Sequence, residues 1–249
     1  MIFKRTECPI CGNPEQVPIF EVDATHYVAH DKAFPDTKTW VGCHACGHAY
    51  TVEAWDRAQF GEYAQGEPFQ LNEEWSEGRF AYSCDLMREF LTAFPDAKSL
   101  LEPGSGRAYF SAAAVDFGLK ATAVDPFEQF REETERIGAK FVKGFMEDLD
   151  LEPHDIVAMG DILEHCTDPH EAISKLPIGE HGLLHISTPR LDSAYYRGTK
   201  WMGMWFVSDH MHFFSNQSLT RLVEQYGWKL VDYQVGKAYK GCGAWTFVR

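Results

Sequence analysis

The 249-residue sequence has no run of about 18 apolar residues, so no membrane-spanning helix is expected. Its opening residues, MIFKRTECPI, lack the apolar core of a secretion signal, and the expectation is a soluble cytoplasmic protein. Positive charge is scarce. Only 23 Lys and Arg stand against 37 Asp and Glu, a formal net charge of −14, and no dense basic run offsets it. A field of that sign repels phosphate backbones, so a nucleic-acid partner is disfavoured. Repeats and low-complexity tracts are absent. So is the Gly-Lys-Ser/Thr triplet of a P-loop. The stretch LLEPGSGRAYF does carry Gly104 and Gly106, but Tyr109 stands where a dinucleotide fingerprint needs its third glycine.

Apolar and aromatic residues are plentiful, at 45% and 14%, enough for a sizeable core. The length suits one large domain, or a medium domain with a small module. Four of the seven cysteines fall in two C-x-x-C pairs, Cys8/Cys11 in CPICG and Cys43/Cys46 in CHACG. Without a secretion signal, metal ligation is favoured over a disulfide framework. Each pair forms a tight knuckle with two thiolates, and two knuckles complete a tetrahedral zinc site. Gly12 and Gly47 follow the pairs, where the turn favours positive φ. A four-thiolate iron site uses similar knuckles and stays open as an alternative. His26, His30, His44 and His48 lie nearby but are read as packing or surface residues once four cysteines are in hand. The expected module covers residues 1–55, and residues 56–79 form a linker that packs on the larger domain.

From residue 80 onward, strand and helix patterns alternate. KSLLEP, KATAVDP, AKFVKG, DIVAMG and GLLHIST read as buried strands. SCDLMREFLTAF, AYFSAAAVDFG and FEQFREETERIG read as helices, the last two closed by glycine. DPHEAISKL begins with an Asp cap and Pro at the first helical position, and SNQSLTRLVEQYG takes Ser215 as its cap. WKLVDYQVG and GAWTFVR close the chain as a hairpin. Repeated βα units imply a parallel sheet with helices on both faces, and ligands bind beyond its carboxyl ends at the switch point.

The order Glu102, Gly104, Gly106, Ala108 resembles the first motif of class I S-adenosylmethionine-dependent methyltransferases. Ala108 replaces a glycine usual in that family. Three further segments come in the family's order: ATAVD ending in Asp125, GFMEDLDL, and MGDILEHCTDP. The resemblance spans roughly residues 80–249. It implies an α/β fold, a Rossmann-like seven-stranded methyltransferase sheet with helices on both faces, beside the small N-terminal zinc-binding module. It implies S-adenosylmethionine as cofactor, with Glu102 near the methionine amino group and Gly104, Ser105 and Gly106 giving close backbone approach. Asp125 would bind the ribose hydroxyls, Pro126 and Phe127 the adenine face, and Met146 and Glu147 the adenine edge. Phe145 replaces the usual first acid of that edge segment. Gly160 and Asp161 would lie beside the methionine part.

Methyl transfer needs an aligned acceptor lone pair, and often a base. His165, His210 and His212 are the candidates. Tyr195, Tyr196, Trp201 and Trp205 are expected as an acceptor wall. His154 and His185 are expected to be structural, and Cys84, Cys166 and Cys242 to be core thiols. The expected activity is methyl transfer to a small polar acceptor, such as a sugar or metabolite hydroxyl. The alternative is a zinc-ribbon interaction protein whose methyltransferase-like domain binds a protein or nucleic-acid partner. The sequence leaves the oligomeric state open.

Overall fold

The computed structural model describes residues 2–26, 34–58, 60, 75–198, 205 and 209–249. His30, Trp201 and most of the expected packing segment lie outside them. The N-terminal strands are β1 (Phe3–Lys4), β2 (Val17–Asp23), β3 (Thr37–Cys43), β4 (His48–Thr51) and β5 (Glu53–Ala54). Both knuckles close as expected. Gly12 and Gly47, each at φ 68°, donate their N–H to Cys8 and Cys43 carbonyls at 2.9 and 2.8 Å.

The larger unit begins with α1 (Glu77–Ala93), whose cap is Ser76. The helix starts six residues before the expected Ser83, because the Ser76 hydroxyl takes the Arg79 N–H and opens the first turn. Next come β6 (Ser99–Pro103), α2 (Tyr109–Asp116), β7 (Lys120–Asp125), α3 (Arg131–Arg136), β8 (Lys140–Lys143), β9 (His154–Gly160) and α4 (Pro169–Ser174). The chain continues through β10 (Ile178–Pro189), α5 (Leu191–Arg197), β11 (His212–Phe213), α6 (Asn216–Glu224), β12 (Lys229–Val235) and β13 (Cys242–Val248). Asp168 and Ser215 cap α4 and α6 as expected.

Seven strands form one sheet in the order β12-β13-β10-β9-β6-β7-β8. Strands β6 to β10 pair in parallel, and β13 runs antiparallel between β10 and β12. The chain moves outward from β6 through β7 to β8, then returns to β9 on the other side of β6. This reversal puts the crevice at the carboxyl ends of β6 and β9.

Among the N-terminal strands, β1 pairs with β5, and β2, β3 and β4 form a second sheet in the order β11-β4-β3-β2, which a strand from residues 212–213 completes, with His212 opposite Tyr50. One buried cluster runs through both units. It joins Cys8, Ile10, Cys46 and Tyr50 to Leu101, Val157, Leu184 and Trp245. Trp205, Trp40 and Phe213 pack with ring centroids 4.4–5.0 Å apart. Edge-to-face and tilted contacts of this kind add about 0.5–1.5 kcal/mol per pair beyond burial. Among the described residues, no helix is long and apolar enough to cross a membrane.

Candidate active site

Strand β6 ends at Glu102–Pro103, and the chain turns sharply through residues 104–108. Gly104, Gly106 and Ala108 all take left-handed φ, at 59°, 48° and 56°. The turn brings Gly106 N–H to 2.8 Å from Asp125 Oδ2 and Ser105 N–H to 3.0 Å from the Val124 carbonyl. A Cβ at Gly104 would lie 1.9 Å from Ile162 Cδ1, so Ile162 would have to turn away, and φ of 59° would strain any L side chain there. Ala108 holds its left-handed conformation without a glycine, which costs about 1–2 kcal/mol. Its carbonyl accepts the Ala112 N–H at 2.8 Å and opens α2.

Glu102 is buried at the N-terminus of α2. Its two oxygens accept the Phe110 and Ser111 N–H groups at 3.2 and 2.7 Å. Burial pushes its pKa up to about 7, against the pull of those donors. Asp125, at the end of β7, accepts from Gly106 on one oxygen and Phe127 on the other, each at 2.8 Å. Burial raises it to about 6. Each Asp125 oxygen takes one amide and keeps acceptor capacity for a further donor.

Two cavities meet over this loop. The first, about 250 Å³, is walled by Phe60, Phe127, Phe145, Met146 and Met159, with Asp125, Pro126, Gly144 and Glu147 at its polar side. Arg57 closes its rim through ion pairs to Asp148 at 2.6 Å and Glu171 at 2.8 Å. The second, about 550 Å³, is more polar and includes Glu102, Ser105, Gly106, Arg79, Tyr109 and Gly160. Gly104, Asp161, Ile162, His165 and Asp209 border both. All eleven residues expected at the cofactor line one cavity or the other.

Asp161 also has left-handed φ, 53°, and accepts the Tyr239 hydroxyl at 2.8 Å. Burial raises its pKa. His165 Nδ1 lies 3.2 Å from the Asp209 carbonyl and 3.4 Å from Asp209 Oδ2. Burial opposes charge on His165, but Asp209, Glu164 and Asp161 outweigh it and push its pKa up to about 9. His210 stands beside His165, ring centroids 4.6 Å apart. The buried Lys38 of β3 donates to the His210 carbonyl at 2.6 Å and so holds this segment from behind. Burial lowers the Lys38 pKa to about 7.

His212 is placed elsewhere. Its Nε2 lies 3.0 Å from the Cys166 carbonyl and 3.2 Å from Arg5 Nη2, and its Nδ1 lies 3.0 Å from His48 Nε2. Burial holds both imidazoles well below their ordinary pKa, so both are neutral. Arg5 sits against the pair and donates to the Thr167 carbonyl at 2.9 Å. The expected acceptor wall is also not assembled. Tyr195 and Tyr196 are exposed on α5, and Trp205 packs in the core edge-to-face on Trp40, whose indole N–H donates to the Trp205 carbonyl at 3.2 Å. His185 and His154 bond Thr246 and Thr122 inside the sheet. Cys166 borders the first cavity, while Cys242 is buried. Sequence reasoning passed over Asp209, Glu164, Tyr239, Arg57 and Arg79. The polar run Ser208-Asp209-His210 offered a signal for the first of these, and Arg57 offered none.

The four cysteine sulfurs form a cluster within 4.8 Å of one another, with Cys8–Cys46 at 3.6 Å and Cys11–Cys43 at 3.5 Å. Disulfide bonding would require about 2.05 Å. Tetrahedral zinc with bonds of about 2.3 Å sets its thiolates roughly 3.8 Å apart, and the cluster fits that spacing.

The sheet order, the glycine turn after its first parallel strand and the acid at the end of the second make this the Rossmann-like methyltransferase fold. A family model described as a methyltransferase domain matches residues 75–233. The chain belongs to that family. Among solved structures, it is similar to magnesium protoporphyrin IX methyltransferase from Synechocystis PCC 6803 with bound SAH. That match has 15% identity and a TM-score of 0.61, and covers 78% of this chain and 100% of that one. It is also similar to a 1,6-didemethyltoxoflavin-N1-methyltransferase from Burkholderia thailandensis, with 18% identity, TM-score 0.56 and coverage of 81% and 95%. A SAM-dependent methyltransferase from Thermotoga maritima matches with 21% identity, TM-score 0.53 and coverage of 69% and 90%. No curated protein matches the chain.

Proposed function

We propose that the chain transfers a methyl group from S-adenosylmethionine to a small polar acceptor, with the adenosine in the first cavity and the acceptor in the second. The observation that carries this reading is Asp125. Its carboxylate stands at the mouth of an aromatic-walled cavity of about 250 Å³, positioned by two backbone amides. Phe127 and Phe145 suit the faces of a purine, and Asp125 suits paired ribose hydroxyls. Glu102 borders the adjoining cavity with a carboxylate suited to an ammonium group. Bound there, S-adenosylmethionine supplies a methyl group on a sulfonium, which an acceptor's electron pair takes as the carbon–sulfur bond breaks and its pair stays on sulfur. Arg79, Tyr82, Tyr109 and Tyr239 line the second cavity and orient a polar acceptor by hydrogen bonding. His165 and His210 line the second cavity on the wall that faces the acceptor.

We also propose that the four cysteines hold zinc. Four thiolates leave no open position, so the ion is structural. Residues 1–55 then form a zinc module, 56–79 a packing segment and 80–249 the catalytic domain, with β11 lent across to the module's sheet. Calorimetry with S-adenosylmethionine tests the reading. Wild-type protein binds it saturably, and Asp125→Ala weakens binding by roughly tenfold or more, the scale of a lost hydrogen bond to a charged group. Absence of wild-type binding refutes the reading, and unchanged affinity in the variant refutes the role of Asp125.

A further inference from the structure

We propose that Glu164, His165 and His210 hold a divalent first-row metal ion at the inner wall of the second cavity, and that this ion binds the acceptor's oxygen. The inference rests on the methyltransferase reading only for what the acceptor is; the site itself stands on geometry.

One donor atom from each of the three residues lies within 4.8 Å of the other two. Bonds of about 2.0–2.2 Å allow ligand atoms up to roughly 4.4 Å apart, so closing the site needs only small side-chain rotations. Glu164 is fully buried. Its Oε2 accepts the Thr188 hydroxyl at 2.9 Å, but its Oε1 has no hydrogen-bond partner among the described residues. Leaving a buried carboxylate oxygen unpartnered is costly, and a cation removes that cost. An ion pair with His165 does not account for it, because Oε1 lies 4.0 Å from Nε2, beyond hydrogen-bond range.

The surroundings are those of a ligand set. His165 Nδ1 faces the Asp209 carbonyl and carboxylate, which turns Nε2 toward Glu164. Metal-binding imidazoles are commonly fixed through the second nitrogen in this way. Thr188 does the same for Glu164. His210 is fixed through its carbonyl by Lys38. Two imidazoles and one carboxylate suit manganese, iron, cobalt or zinc better than calcium.

Three protein donors leave coordination positions open toward the second cavity, which all three residues border. The fitting acceptor is a hydroxyl with a second oxygen beside it, so that the two chelate the ion. Coordination lowers the hydroxyl's pKa. Its proton passes to solvent water, its oxygen forms the new bond to the methyl carbon, and the carbon–sulfur pair leaves on sulfur.

Manganese(II) is the probe, since a hard ion competes poorly for the cysteine thiolates. Titration is followed by loss of the free-ion electron paramagnetic resonance signal, on full-length protein. One site per chain is expected, weakened at least tenfold by Glu164→Gln and by His210→Asn. Should the first variant fail to fold, the second, on a different segment, carries the test. Absence of a saturable site in wild-type protein, or wild-type affinity in His210→Asn, overturns the proposal. Calorimetry with S-adenosylmethionine on the same samples separates the two readings. Manganese bound without S-adenosylmethionine supports the metal site and sinks only the cofactor assignment.

Discussion

Among the described residues, two clusters of potential metal donors stand out, and they are built in opposite ways. Cys8, Cys11, Cys43 and Cys46 come from two local knuckles, and their four sulfurs form a closed set. Glu164, His165 and His210 come from a short turn and a segment 45 residues later, and they face a cavity. The first arrangement ties the chain together, whereas the second leaves room for something to arrive. A closed donor set suits a structural ion, and an open one suits a chemical role.

The largest effect expected is on the closed cluster. Replacing Cys43 and Cys46 with serine removes stoichiometric zinc, measured by elemental analysis, and lowers the melting temperature of the whole chain cooperatively. Structural zinc contributes on the order of 10 kcal/mol in small domains. The shared core around Cys46 and Trp245 carries that loss into the larger unit. Two separate unfolding transitions would break the comparison by showing that the knuckles stabilise only themselves. Wild-type protein carrying iron in place of zinc would change the ion but not the contrast.

A smaller effect concerns charge on the open side. Glu102 has a pKa of about 7 without ligand, raised by burial. A cationic ligand favours its ionised form, so binding releases a proton below that value. Affinity for S-adenosylmethionine should therefore rise as pH rises from about 5 to about 7, then level off. Glu102→Gln should flatten that rise, as calorimetry across the range would show. Stability in the absence of ligand runs the other way. A carboxyl whose folded pKa is raised contributes stability below its unfolded pKa, and loses it as pH climbs through 7.

The smallest effect is at Ala108. Glycine there removes the left-handed penalty but adds unfolded-chain entropy, so Ala108→Gly should change unfolding free energy by no more than about 1 kcal/mol, in the stabilising direction. Denaturant titration measures it. Marked destabilisation would mean that the methyl group packs in a way that outweighs its backbone strain.

Much of the fold was legible in the sequence, and the residues expected at the cofactor come together around two adjoining cavities. The knuckles, the glycine turn, Glu102 and Asp125 announce themselves because each depends on neighbours a few residues away. The strands and their helices read correctly for the same reason. His212 misled because His-x-His spacing does not say which side chain turns inward. Register does that. Pairing of His212 with Tyr50 sends its ring toward His48, whereas His210 precedes the strand, which begins at His212, and its ring stands beside His165. Trp205 misled because an indole serves a core as readily as a binding wall. Asp209 meets His165 from 44 residues away and Arg57 meets Glu171 from 114 residues away, contacts which no local pattern encodes.

Strand β11 has a consequence for synthesis. The fourth strand of the N-terminal sheet is encoded about 160 residues after the strand it pairs with. At about 5–20 residues per second, a ribosome needs roughly ten to thirty seconds to supply it. Throughout that interval β4, buried along its whole length in the finished protein, waits with one edge open. A sheet begun early in synthesis is thus completed late, and its early partner must be a chaperone, a neighbouring nascent chain or water.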